Sequence, residues 1–315
     1  MEIITLDREN FRPYMGEFAE LYTQSFRVPM DEQEVVWRYF DNPNGDILAC
    51  IAVDKGKLVA NYSASPIHLI QDGRIIKVAL SLNTMTHPDY SGQGLFVKLA
   101  SRVYRRMYET GYQMIMGFPN NNSNRTFVKT LGWHDIQTVP TLQLNLAEVK
   151  KREHENVGSV RQDNAFVLDY SARNEVRPGV AVYKSRDYLK WRYQMHPAFT
   201  YYNFVICSGT KVTSHIILKL FRDRVNIVES FFANEDEMKC LLNKAIDFGN
   251  EHDKKMITIW LKLGSWQHMI YEQYGAILAA PVTYFGANVF GDEVEKSIFY
   301  HPETWTLNMS DDNVY

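Results

Sequence analysis

Cysteine is scarce: Cys50, Cys207 and Cys240 are the only three thiols in 315 residues, each among apolar neighbours and none at a metal-ligand spacing. That excludes a disulfide-stapled scaffold and a zinc module, and it predicts buried, reduced thiols. Long apolar runs are missing too. No segment reaches the length a bilayer demands, and Met1-Glu2-Ile3-Ile4-Thr5 has no basic stretch leading into an apolar one. The expectation is a cytoplasmic protein without membrane insertion. Nor does one sign of charge dominate, since 34 Lys and Arg against 37 Asp and Glu leave a net charge of −3 and no basic field for nucleic acid. The nine histidines are scattered, so no metal is expected, and no Ser-His-Asp or nucleophilic-cysteine context stands out. What is present is apolar substance, 45% hydrophobic against 23% charged, in a length that suits two domains better than one.

The most informative stretch runs from Leu80 to Trp133. An apolar strand ends in His87-Pro88-Asp89-Tyr90-Ser91-Gly92-Gln93-Gly94, and a helix follows at once, with Leu95, Leu99, Val103 and Met107 recurring every four residues and Gly111 closing it. A glycine-bearing loop at a helix N-terminus gathers unpaired backbone N–H groups and the positive end of the helix dipole at one point, an anion cradle that suits a pyrophosphate. Tyr112 to Phe118 then reads as a buried strand, Pro119 to Ser123 as a polar capping turn, and Arg125 to Leu131 as a short helix ending at Gly132-Trp133.

This order resembles the acetyl-CoA-binding core of the GNAT N-acetyltransferase superfamily, closely over this core and more loosely over residues 1 to about 147. The resemblance implies that Ser91, Gly92, Gln93, Gly94, Leu95 and Phe96 hold the CoA pyrophosphate through backbone amides. It implies that Thr84, Met85 and Thr86 pair through their backbone with the pantetheine arm, and that Asn120 or Asn121 stands beside that arm. Four departures bear on the chemistry. Ser91 replaces the family's Arg or Gln at the head of the loop, Phe96 replaces a small residue, and the frequent strand glutamate is missing from Ala79 to Asn83. The frequent tyrosine that protonates the departing thiolate falls on Phe127 or Val128, and neither can give a proton.

The chain also resembles itself. Trp37-Arg38-Tyr39 with Pro43 after it returns as Trp191-Arg192-Tyr193 with Pro197 after it, and Tyr271 to Gly275 resembles Val128 to Gly132. The two Trp motifs read as packing anchors on short helices. In the second copy the turn before the long helix is Ala233-Asn234-Glu235-Asp236-Glu237, with three carboxylates and no glycine, so it is expected to be blind to CoA. Glu229 and Tyr271 occupy positions like those that active members use, but are read first as a paired or solvated strand residue and a packed ring. Tyr62 and His68 either line an acceptor pocket or face solvent.

The fold class expected is α/β, mixed α+β, in two GNAT-like units, each a mainly antiparallel twisted sheet flanked by helices. Residues 1–150 form the acyl-CoA-binding domain, 151–180 a charge-rich linker region, and 181–315 a degenerate domain that is structural or acceptor-facing. The resemblance implies an N-acyltransferase that moves an acetyl or related acyl group from acetyl-CoA to a primary amine of a small polar molecule, an amino sugar being the preferred acceptor. No metal is needed, and self-association stays open. The catalytic acid and base are not identified. Asp311 and Asp312 in the tail Ser310 to Tyr315 are weak candidates, against a reading of that tail as a frayed end. The alternatives are a Fem-type aminoacyl transferase and a non-catalytic CoA-binding or assembly module.

Overall fold

A computed structural model describes residues 1–155, 157–174 and 179–312. Asn313, Val314 and Tyr315 of the tail lie outside the described residues. The chain forms two compact units, and neither is one stretch of sequence. The first comprises Met1–Gln137, Met195–Ala198 and Tyr284–Thr304; the second comprises Thr138–Gln194, Phe199–Thr283 and the chain from Trp305 onward.

In chain order the elements are β1 (Glu2–Leu6), α1 (Met15–Phe26), α2 (Glu32–Phe40), β2 (Leu48–Asp54), β3 (Lys57–Gln71), β4 (Arg74–Thr86), α3 (Leu95–Glu109), β5 (Met114–Gly117), α4 (Asn121–Thr130) and β6 (His134–Asn145). Then come β7 (Arg161–Gln162), β8 (Val180–Tyr183), α5 (Arg186–Leu189), β9 (Tyr201–Ser208), β10 (Lys211–Phe221), β11 (Arg224–Phe231), α6 (Glu235–Glu251), β12 (Met256–Trp260), α7 (Trp266–Gln273), β13 (Ile277–Val289), α8 (Glu293–Phe299) and β14 (Trp305–Thr306). The run β2-β3-β4-α3-β5-α4-β6 therefore returns in kind as β9-β10-β11-α6-β12-α7-β13.

In the first unit β1 to β4 are antiparallel neighbours and β5 is parallel to β4. Alternation along β2 explains its two cores. Leu48, Cys50 and Ala52 face a cluster with Leu95, Leu99, Val103 and Met107 of α3, whereas Ala49, Ile51 and Val53 face Phe11, Phe18 and Tyr39. The four α3 side chains at four-residue spacing are all buried, worth roughly 2 kcal/mol each as area removed from water.

In the second unit β7, β9, β10 and β11 are antiparallel neighbours and β12 is parallel to β11. Its core gathers Leu241, Leu242, Ala245 and Ile246 of α6 with Ile216, Leu218, Ile257 and Ile259. Two strands change units along their length. The later part of β6 pairs antiparallel with β12, Thr141 opposite Trp260, in the second unit; the later part of β13 pairs antiparallel with β5, Gly286 opposite Gly117, in the first. A division near residues 150 and 181 therefore differs from the compact units, because an apolar strand pattern does not say which edge the strand will take.

The stretch read as a linker is also built in. Lys151 pairs with Asp247, Arg152 N donates to Asn243 Oδ1 at 3.2 Å, and Glu155 N donates to Asp236 Oδ1 at 3.2 Å. Its charges and amides are met by groups on α6, which composition alone does not show. Both Trp motifs are buried, Trp37 against the His196 ring at 4.2 Å and Trp191 against Tyr188 at 5.3 Å. Cys50 and Cys240 are buried and Cys207 is half-buried, all with free thiols.

Candidate acyl-CoA site

In the first unit the β4–β5 ladder is two pairs long, Ala79 with Ile115 and Leu80 with Met116. From Ser81 to Thr86 the β5-facing edge of β4 has no strand partner among the described residues, while its other edge stays paired with β3. An open edge of this kind accepts an extended arm through backbone hydrogen bonds. Within it the register with β3 slips by one residue, and Asn83 sits at φ 50° in the bulge. Buried amides hold that bulge: Asn61 Nδ2 donates to Asn83 O at 2.7 Å, and Asn83 Nδ2 donates to Tyr39 Oη at 3.0 Å. Thr84 and Thr86 are half-buried, whereas Met85 turns its side chain into the core.

The loop after β4 is anchored before it opens. His87 N donates to Val59 O at 2.8 Å, and its ring accepts from Asp89 N at 3.3 Å, a turn-forming part. The Tyr90 hydroxyl donates to Asp54 at 2.8 Å, lowering that carboxyl's pKa. Ser91, Gly92, Gln93 and Gly94 then stand exposed. Gly92 and Gly94 have φ 76° and 70°, and a Cβ on either would meet nothing within 4 Å. These glycines answer a backbone requirement and leave open space in front of it. Gly94 is the N-cap of α3 and offers no side-chain cap, so the first-turn amides have no side-chain acceptor there. Leu95 points into the core, and the half-buried Phe96 ring lies 5.0 Å from Phe127 and 5.8 Å from Tyr62. Asn120 caps α4, its Oδ1 accepting from Ser123 N at 3.1 Å, and Asn121 is the exposed first residue of that helix.

Phe127 is buried against Trp133 at 4.4 Å. A chain of hydroxyls runs beside it that sequence reasoning did not assemble. Trp133 Nε1 donates to Tyr104 Oη at 2.8 Å, Tyr104 Oη lies 3.0 Å from Tyr62 Oη, and Tyr62 Oη lies 2.9 Å from Ser81 Oγ. Tyr62, left open between pocket and solvent, is fully buried; His68 is half-buried, and burial pushes its imidazole pKa down. The available signal was the period of α3, which sets Tyr104 beside the apolar stripe that faces β3.

The equivalent turn of the second unit is closed by its own side chains. Asn234 caps α6 by accepting from Glu237 N at 2.9 Å, Glu237 accepts from the Ser214 hydroxyl, and Ala233 N donates to Ser214 Oγ at 2.8 Å. Tyr271 is a buried ring whose hydroxyl donates to Ile257 O at 3.2 Å. Glu229 is fully buried and paired with Lys184 and Arg173, and its carboxylate also accepts from Ser310, from Tyr193 at 3.0 Å and from Asn308 at 3.3 Å. Burial lowers the Lys184 pKa to about 7 despite the Asp311 charge.

The β11–β12 ladder ends at Ile227 with Ile259, and beyond it Ser230 N donates to Asn308 Oδ1 at 3.0 Å. The tail is therefore not frayed up to Asp312: Ser310, Asp311 and Asp312 are buried, and Asp311 takes Lys184 at 2.7 Å and Asn308 N at 2.8 Å. The reading of a loose end failed because its polar residues are satisfied by buried partners far away in sequence.

Part of the chain and its fold are similar to known proteins. Residues 12–136 match the family model described as Acetyltransferase (GNAT) domain. That stretch is similar to a GNAT acetyltransferase domain. Among curated proteins none matches the sequence. The GNAT fold extends over nearly the whole chain in similar solved structures. A GCN5-related N-acetyltransferase from Anabaena variabilis is 12% identical with a TM-score of 0.68, over 92% of this chain and 73% of that one. A probable N-acyltransferase from Enterococcus faecalis is 11% identical with a TM-score of 0.67, over 91% and 72%. Eis1 from Mycobacterium abscessus is 10% identical with a TM-score of 0.64, over 94% and 75%. Among the described residues no helix is long and apolar enough to cross a membrane.

Proposed function

We propose that the protein moves an acetyl or related acyl group from CoA to a primary amine of a small polar molecule, using the first unit. The observation that carries this reading is the contrast between two helix starts. The start of α3 is glycine-shaped and uncapped with open space before it, whereas α6 has Asn234 as its cap and carboxylates in its first turn. The first fits a pyrophosphate, and the second satisfies its own amides and repels one.

In this reading the amides of Ser91 to Phe96 hold the pyrophosphate, the backbone of Thr84, Met85 and Thr86 aligns the pantetheine arm, and Asn120 or Asn121 offers an amide N–H beside it. Bound acyl-CoA supplies an activated thioester. Backbone N–H groups on the open edge of β4 polarise the acyl carbonyl, and alignment on that edge places it for direct attack by a neutral amine. Asp311 and Asp312 enter as anchors of the tail. Amino sugars lead the acceptors, with polyamines and amino acids behind them.

Calorimetry with CoA and thiol release from acetyl-CoA over that amine panel test the reading. One CoA per chain is expected. Gly94→Asp should weaken binding at least a hundredfold by placing bulk and a carboxylate where amides meet phosphate, while Gly94→Ala should cost only about tenfold, the strain of a positive φ. Two sites per chain, or equal affinity in Gly94→Asp, overturns the site. Tight CoA binding with no thiol release from any amine overturns the transfer.

A further inference from the structure

Donor accounting gives the hydroxyl chain of the first unit a direction. An indole N–H only donates, so Tyr104 Oη receives from Trp133. If Tyr62 also donated to Tyr104, the proton of the half-buried Tyr104 would have no acceptor in this set of contacts, a costly arrangement for a group largely shielded from water. Running Tyr104 to Tyr62 to Ser81 places both phenolic protons. Ser81 Oγ then accepts, and its own proton is left to be donated outward. Burial raises the pKa of both tyrosines, so they remain neutral donors through the physiological range.

The position of Ser81 gives that free proton a target. Ser81 is the first β4 residue past the last β4–β5 pair, and it is half-buried. Facing it on β5 is Gly117, where a Cβ would lie 3.3 Å from Ser81 Cβ and 3.2 Å from the Trp133 ring. Glycine there lets β5 approach Ser81 and the Trp133 ring closely. Phe127, one of the two residues on which the slot without a hydroxyl falls, packs on both Trp133 and Phe96, and Phe96 stacks on Tyr62. The same aromatic cluster thus lacks one hydroxyl and orients another.

We propose that Ser81 donates a hydrogen bond to the CoA sulfur as it leaves, with Tyr62, Tyr104 and Trp133 as positioning residues that fix its direction; this rests on the CoA reading above. In the transfer the amine nitrogen bonds to the acyl carbon. The carbon–sulfur bond breaks with its electron pair on sulfur, and the proton lost by nitrogen goes to water. Ser81 keeps its proton and shares it with the thiolate, a charge-assisted contact stronger than a neutral one.

The test is a spectroscopic titration of the thiol of CoA bound to the full chain, which needs no acceptor. Ser81→Ala should lower the acid constant of the bound thiol about tenfold or more, the scale of a hydrogen bond to a charged group. Calorimetric affinity for CoA, measured below the titration, should stay within about twofold, and Ser81→Thr should restore the wild-type titration. Tyr62→Phe should reproduce part of the shift, and adding it to Ser81→Ala should change nothing further. An unshifted titration in Ser81→Ala with CoA bound, or an equal shift in the Thr variant, overturns the proposal alone. Failure of the wild-type chain to bind CoA overturns the underlying reading and the proposal together.

Discussion

Cutting the chain at residue 150 should destroy the first unit, although the family match ends well before that point. The fragment 1–150 lacks Tyr284–Thr304, and with it the strand paired to β5 from Met114 to Gly117. It also loses Phe285, Val289 and Phe299, all buried, for which about 2 kcal/mol each gives a loss of roughly 6 kcal/mol. Domains of this size hold only about 5–15 kcal/mol in total. The fragment meanwhile carries Leu142, Leu144 and Leu146, which belong to the core of the other unit and would stand bare.

A different cut should succeed. Asn288 Nδ2 donates to Leu131 O at 2.8 Å, and a Cβ on Gly286 would lie 2.9 Å from His134 O, so the two segments run antiparallel and approach at Gln137 and Tyr284. Joining residues 1–137 to 284–304 through an Asn-Gly turn should give a soluble monomer, because that dipeptide suits a two-residue hairpin. Circular dichroism melts, gel filtration and CoA calorimetry would compare the two proteins. The joined chain should melt cooperatively and bind CoA within about tenfold of the full protein, and 1–150 should do neither. A cooperative melt with full CoA affinity for 1–150 would refute the reasoning.

Two further outcomes concern the buried charges of the second unit. Asp311→Asn removes one of the carboxylates that face Lys184, and denaturant melts should show about 3 kcal/mol lost, a surface-like loss under 1 kcal/mol counting against the buried pairing. Lys184 has a depressed pKa of about 7 against an ordinary 10.5. The unfolded chain therefore binds more protons between those values, and this group's contribution to stability should rise with pH through that window and level off above it. Melting temperatures from pH 7 to 10 check the sign, and wild type should gain relative to Lys184→Met across that range.

The uncapped glycine turn before α3 and the capped, acidic turn before α6 were legible because both are local. Two glycines at a helix start, or three carboxylates in the same place, act on neighbouring amides whatever the rest of the chain does. The strand exchange was not legible. β6 and β13 show ordinary alternation, and nothing in a strand's own residues names the edge it will join. Ser81 was read only as part of the stretch Ala79 to Asn83 where a glutamate was missing, since its hydroxyl gains meaning from Tyr62, 19 residues away, which in turn meets Tyr104, 42 residues from it. The tail was misjudged for the same reason: Asp311 looks solvated until Lys184, far away in sequence, is folded against it.

Asn308 accepts, through its side chain, a hydrogen bond from the Ser230 backbone N–H at the end of β11, where a pantetheine arm is proposed to accept from the backbone of β4. A tethered occupant has an effective concentration set by the chain and never dilutes. The stability of the second unit should accordingly ignore the CoA level, whereas the first should gain by mass action as CoA rises above its dissociation constant. With CoA as the proposed cosubstrate, proteolysis and unfolding in a cell short of CoA would begin in the first unit, and the abundance of the protein would follow the CoA supply.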